Sequence, residues 1–507
     1  MNFNPLSVVL TSRKLNMKHI FLPLLLLLLP LSASAQRTLT LEESLKLACE
    51  VSPDAQAARH TFRSAYWNYR YYKANYLPSL SLTSNPYLNR SISKVTQGDG
   101  SVRYVEQNLF SSDLSLSLTQ NVPWTGGTLS VQSSLERLEL FNDKTTSWQT
   151  APVFITYSQQ LFGYNSLKWD RRIEPAKYTE ARRSYVETLE LVKSYTISYF
   201  FNLAMAQSNL ESARTNFAQA DTLYRIAQGR YEMGSITESD MLQLEVKRLN
   251  EETALLNAGT QLESAMQQLR SYLGITSEDS LVVHPDSIVP VFTVSAEEAL
   301  QIARHRAPDA LMWQRRLTQA DADVSYAKSQ AGLKADIYLR FGLTQTSDRF
   351  KEAYRRPMDQ QYISIGLSLP ILDWGRGKGR VELARSQRDL VKTQVAQAET
   401  DFAQNIRRIV AQFNLAARRV GISRRTAETA ERHYEVARRL YVLGKNTVLE
   451  LNTALSEKDS ARQAAMSALE NYWSLYFTLR SLTLYDFEKN REIEAEIEYN
   501  CHADCSG

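Results

Sequence analysis

The sequence predicts an α+β membrane protein, a protomer of two repeats in which long antiparallel coiled-coil helices carry a few strands at one end. Three observations predict it. The chain is written twice: Tyr434, Ala437, Tyr441, Gly444, Thr447, Glu450 and Leu451 have counterparts 210 residues earlier in Tyr224, Ala227, Tyr231, Gly234, Thr237, Asp240 and Met241. Glu43, Leu45, Ala48, Pro53 and Asp54 return 255 residues later as Glu298, Leu300, Ala303, Pro308 and Asp309, so the first copy holds 45 extra residues. Internal repetition at this scale governs the whole fold. Second, Phe402, Ile406, Ile409, Phe413, Ala416 and Val420 step by four and three, a coiled-coil seam. Third, several short stretches alternate apolar and small or polar residues with period two, the mark of strands with one apolar face.

The N-terminus reads as a targeting segment. Lys18 and His19 precede an apolar run from Ile20 to Leu31, then Ala33-Ser34-Ala35, with cleavage expected before Gln36. Residues 1–35 are therefore a signal peptide, 36–290 the first repeat, 291–486 the second and 487–507 a disordered acidic tail. Without the signal peptide the net charge of +4 falls to about +1, which leaves no nucleic-acid footprint. The later chain has no apolar run of transmembrane-helix length, so any membrane contact falls to strands.

In order, residues 40–76 read as a helix opened by a Thr40–Glu43 capping box and stopped at Leu77-Pro78. Leu80 and Leu82 begin a strand; residues 91–110 read as loop. Leu114, Leu116 and Leu118, the turn at Gly126-Gly127, and Leu129 and Val131 form a hairpin over 112–138. It accounts for most of the surplus, placed at about 91–150. Two readings stand: an extension outside the membrane, favoured because the repeat preserves the four core strands without it, or two further strands per protomer added to a barrel, which in three copies makes eighteen. Val153, Ile155 and Tyr157 give a further strand, followed by a long helix from 167 to 231 kinked near Pro175 and a return helix over 237–273. The second copy repeats the plan: helix 295–332, strands at Ile337, Leu339, Phe341 and at Ile363, Ile365, Leu367, a long helix over 380–443, and a return helix to 485. A helix of about 64 residues is ~95 Å long. Four strands cannot close a barrel, and left open they expose edges and an apolar face. Several chains sharing one barrel resolve this. Lipid then meets Ile337, Leu339, Phe341, Ile363, Ile365 and Leu367, and water meets Tyr338, Arg340 and Ser364.

With its two helix–strand–strand–helix–helix copies, Leu77-Pro78-Ser79-Leu80, the passage Leu369-Pro370-Ile371 to Gly375 and two Gly-x-x-Thr turns, the chain resembles the TolC-type outer membrane efflux family over essentially all of its mature length. The resemblance implies a homotrimer with a twelve-stranded outer membrane barrel, four strands per protomer, and a helical periplasmic tunnel. It implies a periplasmic adaptor docked at the tunnel tip and an inner membrane pump of RND or ABC type. The helix–helix turns then lie at that tip. Gly234, Ser235, Ile236 and Thr237, with Gly444, Lys445, Asn446 and Thr447, become candidates for adaptor docking, beside a plain reading as tight turns. Glu450, with Asp240, becomes a candidate for an acidic ring at the entrance; Thr453 stands where the family often has a second acid, which thins the ring. The plainer reading makes Thr237–Asp240 and Thr447–Glu450 capping boxes.

Other constellations carry less. Gly375, Gly377 and Gly379 lack the order of a phosphate loop and read as a flexible strand-to-helix joint. Cys501, His502, Asp504 and Cys505 match no common zinc spacing, and the two cysteines are candidates to pair in an oxidising compartment. No catalytic residues, metal or cofactor are expected. The runner-up reading is a trimeric coiled-coil structural or adhesive surface protein; strands flanked by helices on both sides speak against it.

Overall fold

The computed structural model describes residues 37–276, 280–286 and 288–494. The signal peptide and the Cys501–Cys505 region lie outside the described residues. The first repeat runs β1 (Arg37–Leu39), α1 (Leu41–Val51), α2 (Pro53–Ala74), β2 (Ser79–Ser84), β3 (Tyr87–Thr96), β4 (Val102–Val122), β5 (Gly127–Leu140), β6 (Thr145–Leu161), α3 (Ser166–Glu232) and α4 (Glu238–Tyr272). After β7 (Leu281–Val283) the second repeat runs α5 (Ala296–Arg306), α6 (Pro308–Ala331), β8 (Lys334–Ser347), β9 (Met358–Ser368), α7 (Arg376–Val442) and α8 (Val448–Thr483), closing on β10 (Tyr485–Asp486) and β11 (Arg491–Glu492).

Both copies break their first helix where one continuous helix was expected. Ser52 ends α1 and its hydroxyl accepts the amide of Ala55, with Pro53 in the first position of α2. Pro308 plays the same part after Ala307. Proline lacks the amide that a helix interior needs but suits a first turn. The Thr40–Glu43 box forms as expected, the carboxylate accepting from the Thr40 amide and hydroxyl.

Two compact units divide the chain. One holds residues to Ser44, Asn202–Ser271 and Ile275–Pro285. In it the parallel pair β1–β7, which the sequence reading missed, buries Leu39, Leu281 and Val283, and the Gln207 side chain accepts the Val283 amide. Three-residue strands are too short to show a period.

The other unit holds the sheet and the remaining helices. α7 is 67 residues long, about 100 Å. It packs against α6 in its first half and against α8 in its second, two shorter helices matching one long one. Its predicted seam is its core: Ile406, Ile409, Phe413, Ala416 and Val420 are buried, and Phe402 lies edge-on to Trp313. Phe413 meets Phe292, Tyr472 and Tyr476 in one aromatic cluster.

Beside that cluster a buried charge network ties the end of α8 to α3. The Arg480 guanidinium donates to both Glu190 carboxylate oxygens, at 2.8 and 3.3 Å, and to Asp486 at 2.8 Å. Glu190 and Asp486 are each 1% exposed. The Tyr476 hydroxyl reaches Asp486 and Glu488, and burial pushes it well above the ordinary phenol range. Residues 485–494 are therefore ordered, and the expected disorder from 487 gives way there to the β10–β11 hairpin, held by these acids.

The sheet departs most from expectation. Its order is β2-β4-β5-β6-β8-β9, with β3 continuing β2 along β4. Residues 91–110, expected as loop, are β3 and the start of β4: Ile92 and Val95 pair with Glu106 and Arg103. Polar strand residues hid the pattern. The surplus hairpin β4–β5 lies inside the sheet, so the protomer carries six strands rather than four. β4 pairs with β2 on one side and β5 on the other, and β5 with β6. The physical reason is on the strands: β4 and β5 carry the same one-sided apolar alternation as their neighbours, and a hairpin set outside would leave that face and two edges bare.

Breaking a buried ion pair by removing one partner costs about 3–5 kcal/mol. Arg480→Met should lower unfolding stability by that order, measured by denaturant titration, because Glu190 and Asp486 stay buried without it. A loss below about 1 kcal/mol would contradict the role given to this network.

Candidate functional site

Two features have functional geometry: the sheet and the helix turns. The four helices that adjoin the sheet, α2, α3, α6 and α7, join it at one end. β2 and β8 start there, β6 and β9 finish there, and the β4–β5 turn lies there too. The Gln120 side chain donates to the Tyr76 carbonyl, Asn121 to the Asn75 carbonyl and Asn165 to the Pro123 carbonyl, each at 3.0 Å. Gly126 sits at φ +79° in this turn, and a Cβ at Gly127 would lie 2.4 Å from the Gln159 amide oxygen. The turn thus faces the helices, not the far side where the insertion was expected.

Register aligns one apolar face across all six strands. Leu80 stands beside Leu118, Leu118 beside Val131, Val131 beside Ile155, and Ile155 beside Phe341. A second row passes from Leu129 to Tyr157, Leu339 and Ile363. Ile337 pairs with Ile365, and Leu367 lies two residues beyond it on the same face. In the single protomer this face is bare: Leu80 is 68%, Ile365 63% and Leu367 72% exposed. Trp124, Phe162 and Trp374, all exposed, follow the helix-side ends of β4, β6 and β9, where aromatic rings suit a membrane–water boundary.

The opposite face is built from hydroxyls and small residues. Ser117, Thr119 and Ser130 form a hydrogen-bonded chain at 3.2 and 3.1 Å. A bulge in β6 between Thr150 and Phe154 brings Phe154 onto Gly342, where a Cβ would clash at 2.3 Å. The Arg340 guanidinium stacks 3.9 Å above the Phe154 ring. At the far end, the β8–β9 connection folds back through a single 3-10 turn, Glu352–Tyr354. The Thr150 hydroxyl donates to the Ala353 carbonyl, and Phe350 packs on Trp148.

The two helix turns are built alike. Gly444 at φ +72° lets the Lys445 amide reach back to the Leu440 carbonyl and its own amide to Tyr441, both at 2.9 Å. Gly234 at φ +68° does the same with Ser235 to Arg230 and its own amide to Tyr231, both at 2.8 Å. This is the six-to-one closure that glycine permits. Asn446 and Ile236 complete the turns before the caps. The Thr447 hydroxyl accepts from the Glu450 amide and the Glu450 carboxylate accepts from the Thr447 amide at 2.9 Å, a full capping box. Thr237 and Asp240 repeat it. The Glu450 carboxylate is exposed while it caps, and Thr453 returns its hydroxyl to the Leu449 carbonyl. Around the second turn Val442, Leu443 and Leu449 stand exposed, an apolar collar the sequence pattern did not single out.

The glycine segment at the β9–α7 joint is fixed by Asp373, whose carboxylate accepts the amides of Gly375 and Gly377 at 3.0 and 2.7 Å. Flexibility was the expectation there; a capped helix start is what the residues build. A groove of about 900 Å³ between α2, α3 and α6 is lined by Phe62 stacked on Tyr185 and by the Arg315–Glu180 pair. Nearby on α3, burial and the neighbouring Asp309 push the Glu187 carboxyl up to about 7. Among the described residues no cluster of His, Cys, Asp and Glu has the makings of a metal site, and no helix is long and apolar enough to cross a membrane.

Long paired helices joined to an open sheet with one continuous bare apolar face define a protein whose sheet is finished by other chains in lipid. The family model for outer membrane efflux proteins matches residues 45–275 and 299–483, and the chain belongs to that family. Among solved structures it is similar to the outer membrane protein VceC of Vibrio cholerae (13% identity, 87% of this chain, 95% of that one, TM-score 0.60). It is similar also to the Campylobacter jejuni CmeC outer membrane channel (14%, 90% and 87%, TM-score 0.63). An uncharacterised Haemophilus influenzae protein is 20% identical over 306 residues, 60% of this chain; the match spans 65% of that relative's length.

Three outcomes test these assignments. An arginine on a lipid-facing strand position costs about 2–4 kcal/mol near the bilayer midplane, but little on a water-facing one. Val131→Arg should therefore lower the yield of folded, membrane-inserted protein, whereas Ser130→Arg should not; equal yields would contradict the facing of β5. Gly444→Ala meets open space but keeps a positive φ, so its cost of about 1 kcal/mol is conformational and should appear as faster amide exchange confined to the α7–α8 turn. Ionised Glu187 is disfavoured in the folded state, so stability is lost as pH rises from 4.5 through about 7. Glu187→Gln should remove that loss in thermal unfolding across this window, and parallel pH profiles would contradict it.

Proposed function

We propose that this chain is the protomer of a homotrimeric outer membrane channel. After signal peptide cleavage near Ala35-Gln36 it exports cargo delivered through a periplasmic adaptor by an inner membrane pump of RND or ABC type. The observation that carries the reading is the sheet: bare edges and a bare apolar face, directly continuous with long paired helices, make sense only when copies close a pore in lipid. Ile337, Leu339, Phe341, Ile363, Ile365 and Leu367 meet lipid; Tyr338, Arg340 and Ser364 meet water.

In this reading the turns Gly234–Thr237 and Gly444–Thr447 are each adaptor contacts. The exposed collar of Val442, Leu443 and Leu449 supports that role for the second turn, since exposed apolar patches mark partner surfaces. Glu450 holds two tasks at once. Its carboxylate caps α8 and, repeated in three copies, places negative charge at the entrance. Asp240 caps α4 in the same way, and Thr453 adds no charge. The runner-up, an adhesive coiled coil, has no use for strands enclosed by helices on both sides.

Conductance in planar lipid bilayers, wild type beside Glu450→Ala, tests this. Discrete small openings that grow or lose cation preference in the mutant are expected. Openings that the mutation leaves unchanged would reduce Glu450 to a helix cap. No openings from protein shown to be inserted would overturn the channel reading.

A further inference from the structure

We propose that three copies of this chain close an eighteen-stranded barrel, each joining its β9 edge to the β2 edge of the next copy. The inference rests on the trimeric reading above and departs from the twelve strands that the family resemblance implies.

Four observations carry it. First, β4 and β5 are full members of the sheet. Fourteen residue pairs join them, from Leu109–Leu140 to Val122–Gly127; on its other side β4 pairs with β2 over six residues and with β3 over ten, and β5 pairs with β6 over twelve across one bulge. Second, the added hairpin keeps direction. β2 runs away from the helices and β9 runs back toward them, so the edges of two copies meet antiparallel. Six strands, like four, leave the adjoining helices α2, α3, α6 and α7 at one end of the sheet. Third, the stretches that would meet, β2 and β9, are nearly bare of the devices that protect a free edge; Pro86, Arg90 and Lys94 come only farther along, where β3 continues the edge. β2, Ser-Leu-Ser-Leu-Thr-Ser, has no charge, proline or bulge, and β9 has Asp359 alone. Fourth, both edges present the apolar face in the same sense, with Leu80 and Leu82 at one and Ile363, Ile365 and Leu367 at the other. A second copy of this chain is the partner that matches both.

The count sets the width. At a strand spacing of about 4.8 Å and a tilt of about 40°, eighteen strands enclose a barrel about 36 Å across between backbones, against about 24 Å for twelve. Barrels of this size leave an aqueous channel rather than a core filled by side chains. The wall that β4 and β5 add is hydroxyl-lined near the helices, from Ser115, Ser117, Thr119 and Ser130, and the paired Asp113 and Glu136 follow on the same face farther from them. The outer membrane stretch is then the wide part of the duct.

Cryo-electron microscopy of the full chain in lipid nanodiscs decides it by counting strands. Three copies around eighteen strands, with the 123–126 turn at the helix side, is the expected result. Three copies around twelve strands, with β4–β5 lying outside the wall, would overturn this proposal and leave the trimeric channel standing. Two copies around twelve strands, or single protomers, would overturn both.

Discussion

A sheet with one apolar face and two unprotected edges is the constraint on which the rest of this molecule depends. Backbone amides and carbonyls at an edge must be paired, and they cannot be paired by lipid. The apolar face cannot be left in water either. A protomer that folds its six strands open, with Leu80 to Phe341 aligned in one row and nothing covering them, has deferred both requirements to assembly. The helices can then be read as the consequence. Every strand-to-helix passage lies at one end of the sheet, so α2, α3, α6 and α7 all leave it on the same side.

That passage has to be exact in register, because a slip of one residue exchanges the two faces. The chain fixes it with polar side chains that reach across the boundary rather than with packing alone. Gln120, Asn121 and Asn165 hold the β4–β5 turn to the backbone around α2 and the start of α3, and the Tyr76 hydroxyl holds the Leu167 carbonyl. On the other repeat Asp373 caps α7 immediately after the last strand. Farther along, the Arg480–Glu190–Asp486 network joins the end of the second repeat to the long helix of the first. Buried ion pairs offer little net stability against an apolar alternative but tolerate few other arrangements.

Much of this was legible in the sequence because the signals were long. The duplication, the four-three seam through Ile406, Ile409 and Phe413, and the paired Gly-x-x-Thr turns each involve many residues and one period. The helix breaks at Pro53 and Pro308 were visible as repeated residues, yet the helical period on either side outweighed them. The strand count was lost for a different reason. In β3 and the first half of β4, polar residues such as Asn89, Arg90, Glu106 and Asn108 stand where apolar ones mark a strand. Beyond the lipid belt nothing requires alternation, so pairing alone holds those residues, and pairing leaves no trace in a single sequence. Glu450 was legible as a cap; whether it also charges an entrance belongs to the assembly, not to the protomer.

The most direct test of the central claim is amide hydrogen exchange on the protein reconstituted in lipid, comparing β2 and β9 with the internal strand β5. If copies close the sheet, the outward amides of Ser79–Ser84 and Met358–Ser368 are as slow as those of Gly127–Leu140. Rapid exchange of β2 or β9 beside a protected β5 would show the edges to be free, and the account of this chain as one part of a shared barrel would fail.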